Sequence, residues 1–222
     1  WVDAGWYTKN PTEPLSRWEE TGELRCDPQR YPSGFRDLSR YLHSIGTGLL
    51  VWFEPERVLK GTESTIEQHK EWLLEATECE TPGAGLRTEN GWCEANYLAN
   101  LGNPDYRAWL TEQVDNILTT AGIDVYRQDF NIEPILFWTQ NDEPQRKGML
   151  ENLYIQGYLA FWDELIRRHP DMMIDSCASG GRRNDLETLR RSVPLCKTDY
   201  YHERITDKQA MHLSLFGWYP YF

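Results

Sequence analysis

Two acidic side chains in this sequence end apolar segments that are typical of strands. Asp129 follows the run at 123–126 and lies in the hexapeptide YRQDFN (126–131), and Asp199 follows the run at 194–197. Unpaired charge at a buried strand end is costly, so an acid there favours a functional use. Two facing carboxylates are the minimum equipment for glycoside hydrolysis: one attacks or activates water, and the other protonates the leaving oxygen. We therefore predict that Asp129 and Asp199 form a catalytic pair.

A basic residue stands two positions before each of these acids, which places it on the same strand face. Arg127 precedes Asp129, and Lys197 precedes Asp199. A fixed cation lowers the pKa of a nearby carboxyl group and keeps it ionised, as a nucleophile requires. Because both acids have such a neighbour, charge alone does not assign the two roles. An N-cap or an ion pair is the competing interpretation of either acid, and several acids in register weaken it.

A divalent cation is the main rival use of the clustered acids. Six carboxylates could supply oxygen ligands to a hard cation: Asp3, Glu54, Glu56, Asp129, Asp175 and Asp199. The five histidines lie mostly in helical patterns and lack the HxH or HExxH spacing of metal sites. We therefore expect no catalytic metal and no cofactor.

A nucleophilic serine or cysteine would have to come from the segment SCASGG (176–181). That segment lacks the GxSxG pattern of a nucleophile turn. Its two glycines instead allow close approach of the backbone to a ligand. Cys177 could equally be a buried core residue.

The composition excludes several classes of partner. The formal charge of −12 over 222 residues argues against nucleic acid and anionic membranes, which bind basic patches. No apolar run is long enough for a transmembrane helix. Five cysteines form no CxxC pair, and the compartment stays open. Ten Trp and twelve Tyr could line a sugar-binding cleft or fill an aromatic core.

Apolar runs and amphipathic stretches alternate along the chain. The runs predict strands at 1–7, 48–53, 96–101, 123–128, 172–175 and 194–197. The amphipathic stretches predict helices at 35–45, 64–77, 103–121, 149–168, 185–191 and 208–216. Loops rich in Gly, Pro or charge are expected at 10–34, 81–94 and 133–147.

This alternation predicts an α/β fold with parallel strands joined by right-handed crossovers. A doubly wound sheet and a (β/α)8 TIM barrel share it, and two features favour the barrel. No glycine-rich phosphate-binding turn follows the first strand. Polar residues end nearly every strand, as at the active face of a barrel: Asp3, Glu54, Asp129, Cys177 and Asp199. About six βα units are too few to close eight strands. We expect residues 1–222 to be one catalytic barrel domain, partial and truncated at both ends.

Five motifs in chain order resemble those of glycoside hydrolase family 36, the α-galactosidases of clan D. They are DAGW (3–6) for DDGW, GLLVWFEPE (48–56) for GLWFEPE, YRQDFN (126–131) for YxKWDxN, CASGGRRND (177–185) for CSGGGGRFD, and TD (198–199) for SD. WFEPE is the most specific of them. The resemblance covers almost the whole chain.

The resemblance implies a retaining α-glycoside hydrolase that cleaves terminal α-galactosides of an oligosaccharide or glycoconjugate. It implies that Asp129 is the nucleophile, which forms a β-glycosyl-enzyme, and that Asp199 is the acid/base. The implied substrate-binding residues are Asp3, Trp52, Arg127, Asn131, Cys177, Gly180 and Arg183, with a supporting role also open for Arg183. A homo-oligomer of the full-length protein is compatible with this reading.

Two departures from the family pattern occur at positions that the resemblance assigns to recognition of the sugar. The paired acids of the family are here Asp3 followed by Ala4, and Arg127 replaces a lysine, so a point donor becomes a planar fork. Reaction type is therefore better supported than substrate. An α-N-acetylgalactosaminidase or another α-glycosidase of the clan, a non-catalytic sugar-binding relative, and an open-sheet protein that binds a divalent ion stay open.

Overall fold

A computed structural model describes residues 1–7, 18–77, 94–198 and 205–218 of the chain. Its strands are β1 (Pro32–Phe35), β2 (Leu50–Phe53), β3 (Arg57–Leu59), β4 (Leu73–Leu74), β5 (Asn96–Ala99), β6 (Val125–Gln128) and β7 (Met173–Ser176). Its helices are α1 (Arg36–Ser44), α2 (Pro104–Ala121), α3 (Ile135–Asn141), α4 (Met149–Arg168), α5 (Leu186–Leu189) and α6 (Ile205–Phe216). The fold is α/β.

A parallel sheet of order β2-β6-β7 carries the predicted site. Trp52 pairs with Arg127, and Arg127 pairs with Asp175, so these side chains lie in one row across three strands. Parallel bridges extend the sheet at both edges, from Val2 to Val51 and from Asp175 to Val193. Within the described ranges this gives five parallel positions in chain order. Their carboxyl ends lie on the same side, because parallel strands run in one direction.

The long helices form where the apolar spacing predicts them. The Asn103 side chain accepts hydrogen bonds from the backbone N–H groups of Asp105 and Tyr106, and so caps α2 as expected. Gly122 ends α2 in a left-handed conformation. The helix α4 has the predicted bounds, and Phe161 and Trp162 on its inner face are buried. No helix among the described residues is long and apolar enough to cross a membrane.

A very close contact joins α4 to the chain before α2. A Cβ atom on Gly157 would lie 1.9 Å from the carbonyl oxygen of Leu101. Glycine is therefore the side chain that lets α4 reach the backbone at Leu101 and Gly102. This contact sets the depth at which α4 packs.

The predicted strand at 96–101 does form, but it lies in a different sheet. As β5 it pairs antiparallel with β3 and β4. The segment between β2 and α2 therefore forms a small second sheet. Because 96–101 was counted among the parallel strands, the prediction of about six parallel units was one too many. The predicted helix at 64–77 is also wrong: Lys70–Trp72 is a single 3-10 turn, and Leu73–Leu74 is β4, because these leucines pair with β5.

Two further predictions need correction. The predicted loop at 133–147 contains α3. The predicted strand at 194–197 does not form: the parallel bridge lies one residue earlier, at Val193, and the Leu195 N–H donates to the side-chain Oδ1 of Asp175, at 2.8 Å, instead of to a strand. The N-terminal part of the loop at 10–34 and nearly all of the loop at 81–94 fall outside the described residues.

Candidate active site

Asp129 lies just past the end of β6, and its carboxylate is buried, with 8% of the residue exposed. Its Oδ2 accepts a hydrogen bond from Nε1 of Trp52 at 3.1 Å. Its Oδ1 accepts from the backbone N–H of Phe130 at 2.8 Å and from that of Ser179 at 3.2 Å. Trp52 belongs to β2, and Ser179 follows β7. Side chain and backbone from three neighbouring strands therefore converge on one carboxylate.

These contacts keep Asp129 ionised. Burial acts to raise the pKa of Asp129, but hydrogen bonds from Asn131, Cys177, the Phe130 N–H and Trp52 outweigh it and lower that pKa. The groups that hold the charge are therefore mainly uncharged donors. The sequence pattern had pointed instead to Arg127 as the cause of a low pKa.

Arg127 makes an ion pair with Asp175, its neighbour on β7. Nη1 of Arg127 lies 2.5 Å from Oδ2 of Asp175, and both side chains are buried. Burial acts to lower the pKa of Arg127, but Cys177 and Asp175 raise it, so the guanidinium stays charged. The buried Nε of Arg127 has no hydrogen-bond partner within the described part of the chain.

Asp3 and Trp1 lie beside Arg127 at the sheet edge. The Arg127 guanidinium lies over the Trp1 ring, 4.8 Å from its centroid. Nε1 of Trp1 donates to Oδ2 of the exposed Asp3 at 2.9 Å. The structure thus brings Asp3 and Arg127 together through one aromatic ring.

Asn131, Cys177 and Gly180 form the other side of the Asp129 environment. The Asn131 Oδ1 accepts from the Ser179 hydroxyl at 2.8 Å. Cys177 is buried against Asp129, and burial raises the pKa of its thiol, which argues against a thiolate nucleophile. Gly180, at φ 84°, closes the turn with its carbonyl accepting from the Ala178 N–H at 2.9 Å. The structure brings these three predicted residues to Asp129.

Glu54 and Arg57 are a supporting pair that sequence reasoning did not assign. Their side chains are fully buried, and Arg57 donates to both carboxylate oxygens of Glu54, at 2.9 and 2.5 Å. Glu54 Oε1 also accepts the Asn131 N–H at 2.6 Å. An acid and an arginine three positions apart, right after a buried strand, were the available signal.

Arg183 does not point to the Asp129 carboxylate, in contrast to its predicted place among the substrate ligands. Its two terminal nitrogens donate to the two oxygens of the buried Glu56, both at 2.7 Å. Its guanidinium lies over the rings of Phe130, at 3.9 Å, and Tyr158, at 4.3 Å. These contacts engage both terminal nitrogens of Arg183 and hold its guanidinium against the two rings.

A buried polar network continues behind the site from Glu56. Gln128 Nε2 donates to Glu56 at 2.7 Å, and the Tyr154 hydroxyl donates to it at 2.5 Å. The side-chain Oε1 of Gln128 accepts from the Tyr126 hydroxyl at 2.7 Å and from Nε1 of Trp162 at 2.8 Å. This face of β6 is therefore anchored to α4, while the opposite face presents Arg127 and Asp129.

Asp199, the predicted acid/base, lies outside the described residues, and so the separation of the two acids is not defined. Among the residues that are described, no group of three or more His, Cys, Asp or Glu side chains is arranged to hold a metal ion.

The family model called Melibiase matches residues 1–201. The chain belongs to this family. The resemblance to the α-galactosidases of glycoside hydrolase family 36, first drawn from five short motifs, is thereby confirmed.

Curated relatives in this family are α-galactosidases that are considerably longer than this chain. The chain is 25% identical over 186 residues to α-galactosidase Mel36A of Lactobacillus acidophilus, a match that covers 83% of this chain and 23% of that protein. It is 24% identical over 212 residues to an α-galactosidase of Escherichia coli, covering 95% and 27%. The chain thus spans about a quarter of the length of these relatives.

Solved structures of α-galactosidases share the fold. The enzyme from Lactobacillus brevis superposes with a TM-score of 0.77 at 23% identity, over 98% of this chain and 27% of that chain. The family-36 α-galactosidase AgaA of Geobacillus stearothermophilus, solved in complex with stachyose, gives 0.68 at 20% identity, over 89% and 26%. At sequence identities this low, the superpositions show a shared fold.

Proposed function

We propose that the chain carries the nucleophile and much of the sugar subsite of a retaining α-glycoside hydrolase of α-galactosidase type. The observation that supports this most directly is Asp129, a buried carboxylate at a strand end whose hydrogen bonds favour its ionised form. The α-galactosidase relatives support the same reaction class. The substrate would be an oligosaccharide or glycoconjugate with a terminal α-galactosyl group.

The proposed reaction is a double displacement. A carboxylate oxygen of Asp129 attacks the anomeric carbon, the glycosidic bond breaks, and Asp199 gives a proton to the leaving oxygen. Water then attacks the anomeric carbon of the β-glycosyl-enzyme and passes a proton to Asp199, and Asp129 leaves as a carboxylate. Hydrogen bonds from Trp52 at Oδ2 and from the Phe130 and Ser179 N–H groups at Oδ1 would hold the carboxylate in place for this attack.

The proposed sugar ligands surround the Asp129 carboxylate. The unpartnered Nε of Arg127 would donate to a hydroxyl, and the exposed carboxylate of Asp3 would accept from one. Trp52, Asn131 and the turn with Cys177 and Gly180 would line the same subsite. Arg183 would act from behind through Phe130.

The proposed architecture is part of a (β/α)8 barrel. Five parallel positions in chain order, with polar residues at their carboxyl ends, support it. In the sequence Asp199 follows the bridge at Val193 by six residues, so it would supply the polar residue that ends this last position.

The test is a screen of aryl α-glycosides of galactose, N-acetylgalactosamine and glucose on the complete gene product. We expect turnover of the galactoside, with at least about a thousandfold loss of kcat in Asp129→Asn and a similar loss in Asp199→Asn. NMR of the first product should show the α-anomer. The β-anomer would indicate inversion and contradict the proposal.

The same screen separates the alternatives. Preference for the N-acetylgalactosaminide would move the substrate assignment while keeping the mechanism. Saccharide binding without turnover, unchanged in Asp129→Asn, would indicate a non-catalytic relative. Loss of activity in a chelator would indicate an essential metal ion.

A further inference from the structure

Two backbone N–H groups donate to the same oxygen of Asp129, and they come from different segments of the chain. Phe130 lies in the segment 129–133, and Ser179 lies in the turn 177–181, fifty residues further along. The pose of the carboxylate therefore depends on how these two segments are held against each other. Two consecutive arginines hold them.

Arg182 links the segments through hydrogen bonds to backbone carbonyls. It donates to the carbonyl oxygen of Phe130 at 2.8 Å and, within the turn, to that of Ala178 at 3.0 Å and to the Ser179 hydroxyl at 3.2 Å. It also pairs with Glu133 at the end of the first segment. Its side chain is 35% exposed, so this link lies toward the surface.

Arg183 links the same segments from the buried side. It belongs to the chain that follows the turn, and its guanidinium lies over the ring of Phe130. Glu56 fixes that guanidinium with two hydrogen bonds, and the side chain is only 12% exposed. The Phe130 residue is therefore held through its ring by Arg183 and through its carbonyl by Arg182.

The turn that these arginines hold is strained. Ser179 has φ 45°, in the left-handed region that a residue with a Cβ atom rarely adopts. Such strain persists only where the surroundings over-determine the backbone. Arg182 donates hydrogen bonds to the Ala178 carbonyl oxygen and to the Ser179 hydroxyl, and these bonds supply that constraint.

We propose that Arg182 and Arg183 are a pair of positioning residues that fix the two backbone N–H donors at Oδ1 of Asp129. This inference rests on the proposed function for the role of Asp129 as nucleophile. Arg183 would act through Phe130, and Arg182 would act through both segments. Neither guanidinium needs to touch the sugar.

The experiment compares Arg182→Gly and Arg183→Lys with Arg191→Lys in the complete gene product. Arg191 is a matched control, because its side chain is 16% exposed and it is paired with Asp163 and Glu187 away from the site. Kinetics against pH and the carbon-13 titration of the Asp129 carboxyl, assigned with Asp129→Asn, are the readouts.

We expect kcat to fall about tenfold in each test variant, with KM changed by less than about twofold, since a transition-state pose and not binding is lost. The carboxyl titration and the acid limb of kcat/KM should both move to higher pH by about half a unit, because weaker donors raise the pKa of Asp129. Arg191→Lys should move neither.

Distinct outcomes bear on the two proposals. A wild-type protein without glycosidase activity would overturn the proposed function, whereas the Asp129 titration would still report on the positioning pair. Lower thermal stability with an unchanged titration and unchanged kcat in Arg182→Gly would overturn the inference. Arg182 is partly exposed, so this variant decides the matter even if Arg183→Lys fails to fold.

Discussion

Arg127 and Asp175 are register partners on β6 and β7, and their side chains form a buried ion pair with 2.5 Å between Nη1 and Oδ2. A pair of this kind has two functions that can be separated. It neutralises Asp175 inside the sheet, and it fixes the Arg127 guanidinium, whose buried Nε has no partner among the described residues.

Arg127→Met should lower the free energy of unfolding by about 3 kcal/mol, because it leaves Asp175 buried without its partner. The double variant Arg127→Met with Asp175→Asn should recover much of that loss but no activity, since it still lacks the proposed donor to the sugar. Urea denaturation and galactoside kinetics on the three proteins check this. Recovery of activity in the double variant would exclude Arg127 as a sugar ligand.

Trp52→Phe should shift the acid limb of kcat/KM to higher pH. The variant keeps an aromatic ring but removes the Nε1–H that donates to Oδ2 of Asp129. That hydrogen bond lowers the pKa of Asp129, so its loss raises the pKa and protonates more of the nucleophile in acid. We expect a shift of about half a unit, which lowers kcat/KM by up to about threefold at pH values below the pKa of Asp129 and leaves it nearly unchanged at pH 8. An equal loss of kcat/KM on the acid limb and at pH 8 would contradict this cause.

Glu56→Ala should destabilise the fold by about 3–5 kcal/mol, because Arg183 would then be a buried charge without its partner. Tyr154→Phe removes only one of the hydrogen bonds to Glu56 and should cost about 1 kcal/mol. Chemical denaturation measures both values. Similar small losses in the two variants would mean that Arg183 finds another partner.

Asp115→Asn should make the free energy of unfolding less dependent on pH in acid. Burial opposes ionisation of Asp115, but hydrogen bonds from Arg168 and His169 lower its pKa, with contacts of 2.8 and 2.6 Å. A lowered folded pKa gives stability that is fully present above the ordinary Asp value of about 3.9 and is lost as pH falls through the folded value. The wild type should therefore fall more steeply below about pH 4 than the variant. Asp163→Asn, at a more exposed carboxylate, is the control, and denaturation at several pH values is the measurement.

Gly157→Ala should destabilise the protein by at least about 2 kcal/mol, because the added methyl group meets the Leu101 carbonyl. Gly217→Ala adds the same atom in open space and should stay within about 0.5 kcal/mol of the wild type. Thermal unfolding of both variants tests the pair. A well-folded Gly157→Ala protein would mean that α4 can shift outward at little cost.

The sequence pattern predicted the elements whose structure depends on residues close together in the chain. Asn103 and Pro104 mark the start of α2, and apolar spacing marks α4, so both helices could be predicted. The stretch at 64–77 carries a similar apolar spacing, yet Leu73 and Leu74 pair with β5, more than twenty residues away in the chain. The spacing of apolar residues within a segment does not predict such pairing with a distant strand.

The same distinction holds for the site. Asp129 could be predicted because a charged residue at a strand end is unusual, and the family motifs placed Asn131 and Cys177 beside it. The roles of Ser179 and Arg182 depend on contacts with residues 50 and 52 positions earlier, and only the folded chain brings these together. Arg183 was assigned to the sugar by its motif, although the fold turns it toward Glu56.

Within the described ranges, the hydrogen bonds that reach the Asp129 carboxylate come from an indole, two backbone amides and other uncharged groups. Dipoles of this kind stabilise a negative charge without cancelling it. In the proposed reaction the full charge of Asp129 is thus available to a positively charged sugar as the glycosidic bond breaks. Fixed dipoles at short range are also screened little by dissolved ions. The ionisation of this carboxylate should thus be nearly independent of ionic strength.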